Sequence, residues 1–394
     1  MPTTPADNLL TWADDLDGTT LDQVANAAAL PFVHHPVALM ADAHLGYGVP
    51  IGTVLATKGA VIPSAVGVDI GCGMAAQRLS VSVDELDLDR LHDRISQVVP
   101  AGQPTRKATG SGSFRDTERI IDLSTDDEAL LSAGAGHTGF DVRRAADQFG
   151  TLGGGNHFVE VCEDTDGAAW IVLHSGSRGV GNTIAKTHID AAKGLMAAYF
   201  IELGDPDLAY LVEGTPEFTA YITAMLWAQD YAARSRSLMM RATLAVVAEQ
   251  SGGPAAAEDE INCHHNYTTR EHHHGQNLWV TRKGAIDAGT GKLGIIPGSM
   301  ATGSYIVEGC GSPASYCSAS HGAGRTMSRS AARKQLTEAS LDDRMDGIAW
   351  NHDAGALLDE HPDAYKRIED VMANQSDLVR PVARLRTVLN YKGA

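Results

Sequence analysis

Cys72 follows Asp69 by three residues in Val66-Gly-Val-Asp-Ile-Gly-Cys-Gly-Met74, a segment whose glycines permit a tight turn. Such a turn can aim a carboxylate and a thiolate at one ion, and a thiolate joined by oxygen and imidazole donors suits a divalent transition metal. Asp42-Ala-His44 repeats the pairing of carboxylate and imidazole upstream. The bland alternative is a buried structural cysteine beside a turn-forming aspartate.

Further imidazoles stand at glycine loops. Leu152-Gly-Gly-Gly-Asn-His157 enters an apolar run, and His174 follows His157 by seventeen residues. If the run is a strand, Asn156, Phe158 and Glu160 share one face and His157 takes the other. Asn156 and Glu160 could then recognise a ligand while His157, at the bend, turns toward an ion. Cys263-His-His-Asn266 supplies another imidazole pair; His272-His-His274 lies in a polar segment and reads as exposed, open to surface metal binding.

Ser318-Ala-Ser-His321-Gly-Ala-Gly-Arg325 has the small residues that let a bulky phosphorylated ligand approach an imidazole. A helix start and Arg325 beyond it would favour a phosphate. A neutral histidine can attack phosphorus and leave a phosphoramidate that a second nucleophile displaces. Ile296-Pro-Gly-Ser-Met300, Ser304 and the near-terminal Lys392 add amide, hydroxyl and ammonium donors.

The elements that must position these residues alternate between two periods. Strands are expected at Val54–Ala60, Ala75–Ser80, His157–Cys162, Trp170–His174 and Leu278–Arg282, from their apolar, β-branched runs. Helices are expected at Leu86–Val99, Phe140–Phe149, Asn182–Glu202 and Thr326–Leu336, with one long or two packed helices across Glu217–Glu249. Gly102 to Thr117 reads as an exposed loop. The mixture is α+β, with the chemistry on loops between strands and helices.

With 394 residues, 43% hydrophobic and 20% charged, the chain can bury a large core, and no linker or repeat divides it. A single domain over 1–394 is expected, with 1–30 as a peripheral N-terminal segment. No apolar run reaches the roughly 18 residues of a membrane span, so a soluble, cytoplasmic protein is expected. The five cysteines lack zinc-finger spacing and should be reduced thiols. A net charge of -18 argues against broad nucleic-acid binding, so an RNA substrate would need a local patch, drawn from Arg178, Lys186, Arg282, Lys283, Arg325, Arg329, Arg333 and Lys334.

Taken in order, Asp42-Ala-His-Leu-Gly-Tyr-Gly48, Gly67-Val-Asp-Ile-Gly-Cys-Gly73, Gly154-Gly-Asn-His-Phe158, His174-Ser-Gly-Ser-Arg-Gly179, His265-Asn266, Arg282-Lys-Gly-Ala285, Pro297-Gly-Ser299, His321-Gly-Ala-Gly-Arg325 and Lys392-Gly393 resemble the signature blocks of the RtcB family of RNA-splicing ligases. The likeness runs from about residue 34 to the C-terminus. The family commonly has Met-Pro-Asp where this chain reads Met40-Ala-Asp42, which should alter the rigidity of the turn more than its chemistry.

The resemblance implies the RtcB-type fold of stacked β-sheets flanked by helices, two Mn2+ ions and GTP. Cys72 would bridge both ions, Asp69 and His265 completing one site, His157 and His174 the other. Asn156, His157, Phe158, Glu160, His265, Asn266, Pro297, Gly298, Ser299, Met300, Ser304, His321, Gly322, Ala323, Gly324 and Lys392 would surround the guanylate. His321 would be the guanylated nucleophile, with Arg325, Arg178 and Lys283 holding RNA ends or the guanylate phosphate. The implied activity joins RNA 3'-phosphate or 2',3'-cyclic phosphate ends to 5'-hydroxyl ends, as in tRNA splicing or RNA repair. RNA is the implied partner, with room for an archease-like activator; a monomer is favoured. The rival readings are a metal-dependent phosphohydrolase, in which His321 and Lys392 would be superfluous, and a non-catalytic paralogue that binds RNA ends.

Overall fold

A computed structural model describes residues 2–6, 8–101, 121–137, 142–257 and 260–393. The loop expected at Gly102–Thr117 lies outside the described residues. The architecture is α+β, built on two sheets. The larger, eight-stranded sheet runs in the order Ile261–His264, Gly73–Ser82, Ala168–Ser175, Phe158–Glu163, Val379–Lys392, Ser304–Gly309 and Leu293–Pro297, and Ala349–Trp350 pairs alongside Val379–Lys392. The six-stranded sheet runs Thr3–Ala6, Leu9–Thr11, Val33–His44, Ile51–Thr57, Gln276–Lys283 and Asn266–His273.

The central strands of the larger sheet are apolar without alternation because both faces are covered. Val159, Val161, Ile171 and Leu173 pack under Leu91, Ile95, Met239, Met240 and Val246 of two helices. Phe158, Cys162, Trp170 and Val172 pack on the other side against Ile295, Ile306 and Leu385. Each fully buried large aliphatic side chain contributes about 1.5–3 kcal/mol, so this two-sided burial makes the sheet a rigid base for whatever its strand ends carry.

The helical segment Glu217–Glu249 is one continuous helix, Pro216–Ser251. The Thr215 side chain caps it by accepting from the Phe218 amide, Pro216 occupies its first turn, and Gly252 ends it in the left-handed region at φ 72°. The other expected helices are present with moved ends: Leu88–Val98, Val142–Gln148, Arg178–Ala198 and Arg329–Gln335. The last begins four residues beyond Arg325, capped by Ser328, so the His321 loop does not open a helix. The first thirty residues are not peripheral from Leu9 onward. Leu9–Thr11 pairs in parallel with Val37–Leu39, Trp12 is buried and donates through Nε1 to Asp377 at 2.9 Å, and Val24 and Ala27 of helix Gly18–Ala28 are fully buried. Trp12 was unremarkable in sequence because its partner lies 365 residues away.

Register decides what meets at one end of the larger sheet. Gly73 lies opposite both His264 and Ser175, His174 opposite Phe158, and Phe158 opposite Lys392. Five neighbouring strands therefore bring His265, Cys72, His174, His157 and Lys392 into one row. A separate two-stranded pair, Ala285–Asp287 and Ser318–Ser320, delivers His321 toward that row.

Candidate metal and nucleotide site

Cys72 is the hub of the row. Its Sγ lies 3.3 Å from His174 Nε2 and 3.5 Å from His157 Nε2, and all three side chains are buried. Backbone carbonyls fix the tautomers: Leu152 O accepts from His157 Nδ1 at 3.1 Å and Asn156 O from His174 Nδ1 at 2.8 Å. With Nδ1 protonated, neutral His174 turns its Nε2 lone pair to the thiol, whereas His157 Nε2 also meets the Asp69 carboxylate, which can only accept from it. His174 Nε2 also lies 3.3 Å from His265 Nε2, and His265 Nδ1 is buried without a hydrogen-bond partner. Burial, joined by the charge of His157 on His174 and of His321 on His265, pushes both imidazoles well below their ordinary range, so they stand neutral and ready to ligate. Burial and the charge of Asp69 push the Cys72 thiol up, opposed by Arg236. Lone pairs and a thiol converging in a dry site are what a divalent cation would satisfy.

Donor atoms form two groups sharing Cys72, each within 4.8 Å: Cys72 with His174 and His265, and Cys72 with Asp69 and His157. By distance the donors group differently from the expectation, which joined Asp69 to His265 and His157 to His174. Asp69 Oδ2 lies 3.1 Å from His157 Nε2. Burial would raise the Asp69 pKa, but the His157 contact holds it below the usual carboxylate range.

His321 packs against the cluster with its ring centroid 4.7 Å from that of His265. Its Nδ1 donates to Asp42 Oδ2 at 2.6 Å, and Asp42 is fully buried, its other oxygen without a partner. A carboxylate can only accept, so the proton sits on Nδ1 and the Nε2 lone pair is free. Gly324, at φ 73°, lets the loop turn against the Asp42 carbonyl, into which any Cβ there would run. Asp42 stood in a motif singled out in the sequence, but nothing in its position marked it as the partner of a histidine 279 residues on.

A cleft opens beside His321, lined by Asn156, Phe158, Glu160, Pro297 to Met300, Gly322 to Gly324 and Lys392, together with Glu360 and Tyr365, which the sequence did not single out. Burial pushes the Glu160 carboxyl up to about 7, against a 2.7 Å hydrogen bond from Asn390 and the charge of Lys392. Although burial would raise it, Lys392 and Arg329 hold Glu360 down at about 2; Lys392 Nζ lies 2.7 Å from its Oε2 and Tyr365 donates to it at 2.8 Å. Ser304 is fully buried opposite Pro297 and does not line the cleft. His265 and Asn266 line a neighbouring cavity that reaches Asp69, Cys72, Tyr47 and Lys283.

The cations divide. Arg178 and exposed Lys186 line an open groove with Asp69 beside the cluster. Lys283 is buried, its ammonium on the carbonyls of Tyr47 and Ser64, and burial brings it down to about 7 against the charge of Asp207. Arg325 lines the cleft but spends its donors on Met327 O, Asp359 O, Glu360 and the Tyr365 hydroxyl. Arg282 is wholly buried on Glu271, Ser318 and Tyr316 O and leaves the patch. Arg329 and Arg333 are paired with Asp359. In the triple-histidine tract His273 is tied to Glu271 at 2.6 Å and His274 stacks on His34 at 5.4 Å, so one of the three is neither exposed nor free.

The family model for the tRNA-splicing ligase RtcB matches residues 23–393. This chain belongs to the RtcB family. Among RtcB relatives, the RNA-splicing ligase RtcB of Escherichia coli K12 is 43% identical over 387 residues, covering 94% of this chain and 93% of that protein. The RNA-splicing ligase RtcB of Mycobacterium tuberculosis is 32% identical over 440 residues (94% and 100%), and the tRNA-splicing ligase RtcB of Archaeoglobus fulgidus 29% over 448 (96% and 92%). No helix among the described residues is long and apolar enough to cross a membrane.

Proposed function

We propose that the chain is a GTP- and Mn2+-dependent RNA ligase that joins 3'-phosphate or 2',3'-cyclic phosphate ends to 5'-hydroxyl ends through a guanylated His321. The observation that carries this reading is the buried Asp42 holding His321 with its Nε2 free, beside two donor groups that share Cys72. A ligand set of imidazole, carboxylate and one thiolate admits Mn2+ without demanding zinc. Cys72, His174 and His265 would hold one ion, Cys72, Asp69 and His157 the other. When bound, a pair of dications would supply charge stabilisation for phosphoryl oxygens and a leaving pyrophosphate.

The protein's own groups do the rest. His321 Nε2 attacks the α-phosphorus of GTP, a P–N bond forms and pyrophosphate departs, while Asp42 accepts the hydrogen bond from Nδ1 and offsets the positive charge on the ring. An oxygen of the RNA 3'-phosphate then displaces His321 and takes the guanylate. The 5'-hydroxyl attacks the activated RNA phosphorus and GMP leaves. The logic is activation: a phosphate monoester becomes an electrophile once a good leaving group is attached. Lys392, Glu160 and Gly322 to Gly324 line one cleft beside His321; in this reading the first two meet the base of the guanylate and the small residues leave its phosphate room.

Guanine presents an N1–H and an exocyclic amine, both donors, so Glu160 binds it best as a carboxylate. GTP affinity is therefore expected to rise as the pH climbs through about 7, the value to which burial brings Glu160, and to fall below it. Glu160→Gln should lower affinity and flatten that rise in a titration followed by calorimetry.

The function itself is tested by supplying two RNA fragments, one ending in a 3'-phosphate and one beginning with a 5'-hydroxyl. Joining that requires both GTP and Mn2+ supports the reading. Loss of the terminal phosphate without joining would assign a phosphohydrolase instead.

A further inference from the structure

Arg236 projects from the long helix Pro216–Ser251 to the underside of the donor row and is fully buried. A buried guanidinium is costly unless its donors are met, and here each of its three nitrogens has a partner. Nη1 donates to the carbonyls of Gly71 at 2.8 Å and Ser175 at 2.9 Å, Nη2 lies 3.1 Å from His264 Nδ1, and Nε donates to Asn262 Oδ1 at 2.9 Å.

The identity of those partners is the informative part. Gly71 precedes Cys72, Ser175 follows His174, and His264 precedes His265. These are the neighbours of the three residues in one donor group. Gly73 belongs to the same junction: a Cβ there would run into the Cys263 carbonyl and His264 Cα of the neighbouring strand and lie 3.0 Å from the guanidinium carbon, so glycine lets the two strands close together over Arg236. Three chain segments, at the ends of three neighbouring strands and separated by up to 193 residues, are thus pinned to one planar group.

We propose that Arg236 is a positioning residue that sets the spacing of Cys72, His174 and His265 for the metal ion they hold. The inference rests on the metal centre assigned above. A lysine would keep the charge, but its single ammonium cannot reproduce the fixed fork that reaches two carbonyls, an imidazole and an amide together. Arg236 is buried and lines neither the cleft beside His321 nor the neighbouring cavity, so its effect is read on the metal and not on chemistry.

The test uses the full chain loaded with Co2+, whose bond to a thiolate gives a near-ultraviolet charge-transfer band. Arg236→Lys is expected to keep its circular dichroism, to weaken Co2+ binding by about 10- to 100-fold, as losing an outer contact to a ligand does, and to shift or lose the band. The same affinity and spectrum as the parent would overturn the positioning role. If the parent shows no band that Cys72→Ala removes, the metal centre itself is wrong and the inference falls with it. Should Arg236→Lys fail to fold, Asn262→Ala removes one anchor of the guanidinium at the protein surface. It should weaken Co2+ binding by up to about 5-fold, the equivalent of one hydrogen bond; unchanged binding overturns the proposal equally.

Discussion

Asp42→Asn is expected to slow transfer of the guanylate to His321 by about 10^4-fold, the loss seen when a buried aspartate that orients a catalytic histidine is neutralised. The substitution is nearly isosteric, so the loss comes from proton placement. Asp42 Oδ2 accepts from His321 Nδ1 at 2.6 Å, which leaves Nε2 as the nucleophile. An asparagine can turn its amide nitrogen toward Nδ1, donate to it and drive the proton to Nε2, where the lone pair is lost. It also removes the charge that stabilises the ring as it becomes cationic. Single-turnover transfer from α-labelled GTP measures the rate, and metal content should equal that of the parent. Transfer at the parental rate would show that the contact is structural only.

Cys72→Ala should have a different signature. The thiol is the one donor common to both groups, so its loss removes a ligand from each ion and leaves the remaining imidazoles and carboxylate without their hub. Metal affinity should fall beyond the roughly 100-fold that losing an outer contact can cost, and joining should drop below detection. Fold stability should change little: one sulfur atom leaves a small cavity worth about 1 kcal/mol. Metal counted per chain by elemental analysis, beside a melting curve, separates the outcomes. A variant that retains two ions would show that Cys72 is a buried thiol near the site and not its bridge.

Much of this site was legible because residue types alone restrict chemistry. Glycine loops abutting Asp69, Cys72, His157, His174 and His321 could be read from the chain, and the two-residue period placed Asn156, Phe158 and Glu160 on one face, where they line the cleft. What periodicity cannot give is which strand ends abut. The grouping of Asp69 with His157 depends on register between strands, and the Asp42–His321 contact on two segments from different parts of the chain. The cations show the same limit. Arg282 and Lys283 are adjacent in a strand and looked equivalent as phosphate binders, yet one is consumed by Glu271 and the other by two carbonyls. Glu360, Tyr365 and Trp12 lie in unremarkable segments, and only packing reveals them.

The central claim is that His321 carries the guanylate. Incubation with GTP labelled at the α-phosphate and Mn2+, followed by digestion and peptide mapping, addresses it directly. An acid-labile label on the peptide bearing His321, absent from His321→Ala, is the expected result; label on another residue, or label that survives the substitution, would contradict it.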